Sequence, residues 1–109
     1  MKNKQIPVYV FTGFLEGGKT KFIQETLEDA RFNSGERTLL LVCEEGIEEY
    51  DKSRFAKKNV HIEVLEQESA LTEKALSAWM KQYKTQRIIV EYNGMWQLNT
   101  LYNSLPQNC

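Results

Sequence analysis

The sequence predicts one α/β domain of three layers, in which helices cover both faces of a mainly parallel sheet. Short β-branched or aromatic segments alternate along the 109 residues with longer segments whose apolar residues recur at helical spacing. With 41% hydrophobic and 27% charged residues, the composition is that of a globular chain with a modest core. The length allows a single domain, residues 1–109.

Four segments have the composition of strands. Residues 6–12 are almost entirely apolar, which is typical of a parallel strand that is covered on both faces. Residues 38–43 predict a second buried strand, and residues 87–91 a fourth strand, which we place beside the first. Residues 60–65 alternate enough to predict a third strand near an edge of the sheet.

Helical segments separate these strands. The first follows residues 13–18 and ends at Asn33-Ser34-Gly35, and residues 52–58 predict a short helix. A further helix has Ser69 as its N-cap, and the last spans residues 96–105 after a turn at Asn93-Gly94. The expected buried stripes are Phe22, Ile23, Thr26, Leu27 and Ala30 in the first helix and Leu71, Ala75, Ala78 and Trp79 in the next long one.

Residues 13–20 read Gly-Phe-Leu-Glu-Gly-Gly-Lys-Thr and match the pattern G-x-x-x-x-G-K-[ST] at every fixed position. They lie between a predicted strand and a predicted helix, where this phosphate-binding loop belongs. Backbone N–H groups must curve around a polyanion there, and glycines permit that curvature without a Cβ clash. The alternative is a glycine-rich turn with an incidental lysine. We expect nucleotide contacts from Gly13, Glu16, Gly17, Gly18, Lys19, Thr20 and Gly94.

Two side chains of this loop have expected chemical roles. Lys19 neutralises the β- and γ-phosphates, and Thr20 offers its hydroxyl to Mg²⁺. The helix that begins near Lys19 also directs the positive end of its dipole at the phosphates. The sequence therefore predicts Mg²⁺-dependent binding of a nucleoside triphosphate.

Polar residues at the carboxyl ends of the other strands extend the predicted site, because ligands of parallel sheets bind at that edge. Glu91 ends an apolar strand, as the carboxylate of a Walker B element does, and would hold Mg²⁺ or a water bound to it. The alternative is a solvated strand-end carboxylate. Gly94 is either a γ-phosphate sensor or a simple turn glycine. Glu44, in the acidic segment after the second strand, is a further metal candidate.

The remaining candidate residues carry less chemistry. His61 stands in a strand without a second His or a Cys nearby in sequence, which favours a structural or surface role over metal ligation. Trp79 fits a helix core, whereas Trp96 fits either the core or a position that covers the site. A single histidine leaves no readable nucleophilic triad.

These motifs resemble the CobW/HypB/UreG group of metal-handling P-loop GTPases, with CobW-type members most similar. The resemblance is carried by residues 6–20, by Cys43-Glu44-Glu45-Gly46 with Asp51, which is similar to a switch segment, and by residues 91–94, Glu-Tyr-Asn-Gly. It implies a P-loop NTPase fold, GTP as the nucleotide, and roles for Glu44, Gly46, Glu91 and Gly94. It also implies a metalloprotein client, or a partner domain of a longer parent chain.

The sequence departs from that group at two motifs. The group's Cys-x-Cys-Cys metal-binding motif has no counterpart, since no cysteine lies between Cys43 and Glu91. The Lys-x-Asp motif that reads guanine has none either, because residues 92–109 contain neither Lys nor Asp. GTP and ATP therefore both remain open. A complete domain of this type has more strands, so we expect the chain to be the N-terminal part of a longer protein.

The expected activity is slow, Mg²⁺-dependent hydrolysis of a nucleoside triphosphate, with Lys19 and Glu91 as the catalytic residues and Thr20, Glu44 and Glu91 as the metal site. One alternative is a nucleotide-binding module that does not hydrolyse and acts through partner contact. Another is a small-molecule kinase, although no cluster of basic lid residues follows Arg87.

Charge and hydropathy exclude other classes. A formal net charge of -1 provides no broad basic field for nucleic acid or for an anionic membrane surface. The apolar segments are far shorter than the roughly 20 residues of a membrane-spanning helix. Two cysteines are too few for a disulfide framework, and no export signal is readable, so a cytoplasmic location is expected.

Overall fold

The structure is a computed structural model that describes residues 6–12, 18–43 and 50–106, with the backbone alone for residues 18–20. Its four strands are β1 (Val8–Phe11), β2 (Thr38–Val42), β3 (Val60–Val64) and β4 (Arg87–Glu91). They form one sheet in the order β1-β4-β2-β3, and all three strand pairs are parallel. The predicted α/β class and parallel sheet are thereby confirmed.

In the described residues, three α-helices connect or follow these strands: α1 (Gly18–Glu28), α2 (Glu73–Tyr83) and α3 (Leu98–Ser104). Two single turns of 3₁₀ helix, Lys52–Arg54 and Glu68–Ala70, lie on either side of β3 in the sequence. None of the helices in the described part of the chain is both long and apolar enough to cross a membrane.

The helices lie on both faces of the sheet because the side chains of β2 alternate between two hydrophobic clusters. All five residues of β2 are buried. Leu40 and Val42 pack with Ile23 and Leu27 of α1, so α1 covers one face. The opposite cluster joins β2 to α2 and α3 through Leu39, Leu41, Leu76, Met80 and Leu101. The three layers expected from the sequence are present.

The strand order puts β4, the predicted Walker B strand, between β1 and β2. β4 pairs with β1 on one side and with β2 on the other, as we expected for the first and fourth strands. β3 lies at an edge, which was also predicted. The chain thus brings the ends of β1, β4 and β2 together, although these strands are separated by long stretches of sequence.

The predicted burial of the first strand on both faces is wrong. β1 is the other edge strand of the described sheet, and Tyr9 and Val10 are 41% and 37% exposed. An apolar composition alone does not determine position in a sheet, because an edge strand with one half-covered face has the same composition. β1 contacts the core mainly through Val8 on one face and Phe11 on the other.

Two helix predictions also need correction. The N-cap of α2 is Thr72, whose Oγ accepts a hydrogen bond from the Ala75 N–H at 3.1 Å, while Ser69 lies in the preceding 3₁₀ turn. The buried stripe of α2 therefore consists of Leu76 and Met80, and Ala78 is exposed. Leu76 and Met80 are four residues apart and therefore lie on one face of the helix.

The first helix is shorter than predicted. α1 ends at Glu28 instead of at residues 33–35, and Asn33, which is buried, donates its amide Nδ2–H to the Leu27 carbonyl at 3.0 Å. Phe22 was assigned to the buried stripe, but it is 56% exposed and its ring lies 5.5 Å from that of Phe11. Among the described side chains of this helix, those of Ile23 and Leu27 are fully buried.

A buried arginine at the start of β4 fixes the end of the sheet opposite the predicted site. Arg87 is 5% exposed, and its guanidinium donates to Thr38 Oγ1 at 2.6 Å, to the Phe32 carbonyl at 3.0 Å and to Asn33 Oδ1 at 3.3 Å. The guanidinium carbon also lies 4.2 Å from the centre of the Phe32 ring. Arg87 therefore joins β4, β2 and the segment after α1.

We expect Arg87→Met to lower the free energy of unfolding by about 3 kcal/mol, because it leaves three acceptors, two of them on buried residues, without their donor. Urea unfolding measures the change. Arg31→Met is the matched control, since Arg31 pairs with Asp29 at the surface with 91% of its side chain exposed; it should cost less than about 0.5 kcal/mol. Equal effects of the two substitutions would contradict the assigned role of Arg87.

Candidate functional site

The carboxyl ends of three neighbouring strands form the centre of the candidate site. In the sheet register, Glu91 of β4 lies between Phe11 of β1 and Val42 of β2. The backbone pairing continues beyond the strands, since the N–H of Tyr92 donates to the Phe11 carbonyl at 2.7 Å and that of Cys43 to the Glu91 carbonyl at 2.9 Å. Glu91 is thus adjacent to the strand that leads into residues 13–17 and to the strand that leads into residues 44–49.

Glu91 is a buried carboxylate. The residue is 4% exposed, and its Oε1 accepts a hydrogen bond from the hydroxyl of Tyr50 at 2.5 Å. The alternative interpretation from the sequence, a solvated strand-end carboxylate, is therefore wrong. A carboxyl group at a protein surface needs no such partner, whereas a buried one must have hydrogen bonds or a cation to offset its lost hydration.

Tyr50 is itself held by two sets of contacts. Its ring packs against the hydrophobic cluster that α1 shares with the sheet. The next residue, Asp51, has its backbone fixed to the Gln24 side chain of α1, because Gln24 Nε2 donates to the Asp51 carbonyl at 3.0 Å and Gln24 Oε1 accepts from the Asp51 N–H at 2.9 Å. Tyr50 and Asp51, which follow residues 44–49, are therefore held by contacts with α1 and with Glu91 of β4.

Asp51, which the resemblance likens to a later Asp of the switch segment, caps the first 3₁₀ turn. Its Oδ1 accepts hydrogen bonds from the backbone N–H and the hydroxyl of Ser53, at 3.1 and 2.5 Å. These bonds hold the pKa of the Asp51 carboxyl below its usual value. The carboxylate of Asp51 thus stabilises the local turn in its charged form.

The segment after Glu91 turns sharply and is packed on its inner side. Tyr92 is fully buried, and its hydroxyl donates to the Gln97 carbonyl at 2.5 Å. Burial raises the pKa of Tyr92 to about 12. Asn93 closes the turn, since its Oδ1 accepts from the Met95 N–H at 2.8 Å and its carbonyl accepts from the Trp96 N–H at 3.0 Å. Gly94 lies inside this turn, and its role as a phosphate sensor stays a prediction.

The aromatic and histidine candidates belong to the packing of the domain. Trp96, for which the sequence left two positions open, is half-buried against the α2 and α3 cluster, with its ring 5.9 Å from the Tyr92 ring in an edge-to-face arrangement. Trp79 packs against the same cluster, as predicted. His61 stacks on Tyr83 at 4.2 Å between ring centres, which agrees with a structural role.

Most of the predicted phosphate loop lies outside the described residues. This applies to Gly13, Glu16, Gly17 and, in the acidic segment, to Glu44. The backbone of Gly18, Lys19 and Thr20 forms the first residues of α1, while their side chains are not described. The predicted setting of the loop, between the end of a strand and the start of a helix, is present.

Within the described residues, no three His, Cys, Asp or Glu side chains come together as a metal-binding group. Of the predicted metal site, only Glu91 has a described side chain. A cavity of about 330 Å³ lies elsewhere, at the start of β3 beside the first 3₁₀ turn, and it is lined by Lys52, Ser53, Phe55, Lys57, Lys58, Val60 and His61. Val60 pairs with Thr38, so this cavity lies toward the amino ends of the strands, opposite Glu91.

Tyr50 is the site residue that reasoning from the sequence missed. It stands in sequence 41 residues before Glu91, at the end of an acidic segment, and no periodic pattern or spacing rule links the two. The one available signal was its position directly before Asp51 in the segment that resembles a switch. The contact follows from the parallel pairing of β2 with β4, which brings the chain after β2 close to the end of β4.

Comparisons with protein-family models, with curated proteins and with solved structures find no match to this chain.

Proposed function

We propose that this chain binds a nucleoside triphosphate together with Mg²⁺ through residues 13–20 and hydrolyses it slowly. The observation that carries the proposal is the position of Glu91, a carboxylate 4% exposed at the carboxyl end of the strand next to the one that enters the loop. A glycine-rich loop with Lys19 and Thr20, followed by a helix and flanked by a buried carboxylate, is the arrangement that phosphoryl-transfer proteins use.

The finer fold that we propose is that of a P-loop NTPase. Three features support it: the sheet is parallel, α1 is the first helix after β1 with residues 13–17 between them in the sequence, and β4 lies beside β1. Ligands of such sheets bind outside the carboxyl ends of the strands. The resemblance to CobW-type proteins makes GTP the nucleotide that we propose first, with ATP as the alternative.

The carboxylate of Glu91 is a suitable ligand for a Mg²⁺ ion. Glu91 is a hard oxygen donor at the proposed phosphate edge, and Mg²⁺ is typically held by one or two carboxylates together with substrate phosphates. When bound, the ion neutralises charge on the β- and γ-phosphates. We assign Glu91, the hydroxyl of Thr20 and the carboxylate of Glu44 to its protein ligands, directly or through water.

The chemical step that we propose is electrostatic and positional. A water oxygen attacks the γ-phosphorus, the bond to the β–γ bridging oxygen breaks, and the nucleoside diphosphate and inorganic phosphate leave. The Lys19 ammonium offsets charge on the γ-phosphate, and Glu91 fixes the orientation of the attacking or metal-bound water. The positive end of the α1 dipole points at the same phosphates, since α1 begins at Gly18.

A second candidate function is a nucleotide-binding module that acts through partner contact without turnover. The favouring observation is an apolar surface along α3, where Met95, Leu98 and Tyr102 are 80%, 44% and 59% exposed. Leu98 and Tyr102 are four residues apart and lie on one side of α3, and Met95 lies in the turn before it. A metalloprotein client or a partner domain of a parent chain is the partner that we propose.

We propose the cytoplasm as the compartment.

Nucleotide titration tests the proposed function. Heat-unfolding curves of the full chain, recorded with GTP, GDP, ATP or inorganic phosphate in the presence of Mg²⁺, should show stabilisation by triphosphates. A ligand present at a hundred times its Kd stabilises a protein by about 2.7 kcal/mol. Release of inorganic phosphate then separates the two candidates, because only the first produces it. No stabilisation by any nucleotide at millimolar concentration would contradict both.

A further inference from the structure

We infer that Tyr50 is a positioning residue for Glu91: its hydroxyl holds the carboxylate in the orientation that the Mg²⁺–nucleotide complex requires. The inference deepens the proposed function and rests on it. The supporting observation is the hydrogen bond from the Tyr50 hydroxyl to Glu91 Oε1 at 2.5 Å. Hydroxyl-to-carboxylate bonds of 2.5–2.7 Å are of the strong, charge-assisted kind.

The sheet fixes the backbone of Glu91. Glu91 is the last residue of β4, a central strand that is paired on both sides, and it is 4% exposed. Its backbone is therefore fixed, and the orientation of the carboxyl group depends on its hydrogen-bond partners. Carboxylates that bind metals are commonly oriented in this way by a second side chain, and loss of that side chain costs 10- to 100-fold in metal affinity or activity.

The donor is fixed as firmly as the acceptor. The Tyr50 ring packs against the α1 face of the core, and the two hydrogen bonds between Gln24 and the Asp51 backbone hold the adjoining residue to the same helix. Because the Tyr50 side chain is held in place, its hydroxyl restricts the orientation of the Glu91 carboxyl group. α1 also begins with the last residues of the proposed phosphate loop, so the same helix positions the loop and, through Gln24 and Tyr50, the carboxylate.

A purely structural hydrogen bond is the competing explanation, and the chain contains a matched example of one. The hydroxyl of Tyr83 donates to Glu63 Oε2 at 2.6 Å, between α2 and β3. The two pairs share donor and acceptor types and nearly the same length, but Glu63 lies at the edge strand and takes no part in the proposed site. Comparing the two tyrosines separates a role in positioning from a contribution to folding.

The experiment measures the affinity of the full chain for GTP twice, with saturating Mg²⁺ and in EDTA. The ratio of the two affinities is the Mg²⁺ enhancement. The affinity for ATP is measured in the same way. We expect Tyr50→Phe to reduce this enhancement by about tenfold or more, with the affinity in EDTA unchanged. Tyr83→Phe should leave the enhancement at the wild-type value. In a Glu91→Gln background, Tyr50→Phe should have no further effect, because its partner is then no longer a charged ligand.

Each outcome decides the inference. If Tyr50→Phe shows the same Mg²⁺ enhancement as the wild type, the positioning role is overturned and the proposed function stays intact. A wild-type protein that binds neither nucleotide would overturn the proposed function, and the inference with it. If the amide spectrum shows that Tyr50→Phe does not fold, Gln24→Ala replaces it. Gln24→Ala removes the side chain that fixes the Asp51 backbone, so it should reduce the enhancement in the same direction, and an unchanged ratio would overturn the inference.

Discussion

Replacing Glu91 by glutamine should reduce the rate of phosphate release by about a hundredfold or more, an effect of the size that follows removal of one preorganised polar group from an active site. The amide keeps the shape of the side chain and an oxygen that can still accept the Tyr50 hydrogen bond. The fold should therefore survive while the negative charge for Mg²⁺ is lost. Phosphate release under saturating nucleotide, followed over many turnovers, measures the effect.

Glu63→Gln is the control for this substitution. Glu63 also accepts a hydrogen bond from a tyrosine hydroxyl, but it lies in the edge strand β3 on the side of α2. Its conversion to glutamine should leave phosphate release unchanged. Release that persists at the wild-type rate in Glu91→Gln would remove Glu91 from the mechanism, even if nucleotide binding were established.

Lys19→Ala should weaken triphosphate binding by about tenfold or more, equivalent to about 1.4 kcal/mol. Two unit charges 4 Å apart near a protein surface interact by roughly 4 kcal/mol, and screening by salt and solvent reduces that figure. The loss should be largest for the triphosphate, smaller for the diphosphate and absent for the nucleoside. Calorimetric titration with the three ligands measures this order.

Lys21→Ala is the matched control, because Lys21 lies two residues further along α1 with its side chain exposed, and the two substitutions change the net charge of the chain equally. Lys21→Ala should have little effect on affinity. If both variants bind the triphosphate equally well, the charge at residue 19 does not contact the phosphates.

The sequence predicted the sheet well where composition and period agree. The bounds of β4 match the prediction, and those of β2 and β3 differ by one residue at the carboxyl end. Apolar runs bounded by polar residues identify β2 and β4 because all residues of these two strands are buried, and the alternation of apolar and polar residues identifies the edge strand β3. The burial of β1 was misjudged although its neighbour β4 was predicted correctly, since no local pattern encodes whether a further strand covers the other side of an apolar strand.

The helix boundaries show a second limit. Both Ser69 and Thr72 are good N-cap residues, and each precedes apolar residues at helical spacing. Only packing against β2 and β4 decides that Leu76 and Met80 face the core. Contacts between residues that only the fold brings together are harder still to predict from the sequence, as the contact between Tyr50 and Glu91 shows. The motif identified Glu91 as a candidate, but its burial and its partner required the structure.

The backbone amides of residues 13–20 provide the most direct test of the central claim, that this segment wraps a polyphosphate. A titration of labelled protein with GTP and Mg²⁺, followed by amide resonances, should move those signals most, with the amides of Glu91 and Gly94 changing alongside them. Amides of residues 13–20 that stay unmoved at millimolar nucleotide, or shifts confined to the lysine-lined cavity of residues 52–61, would contradict it.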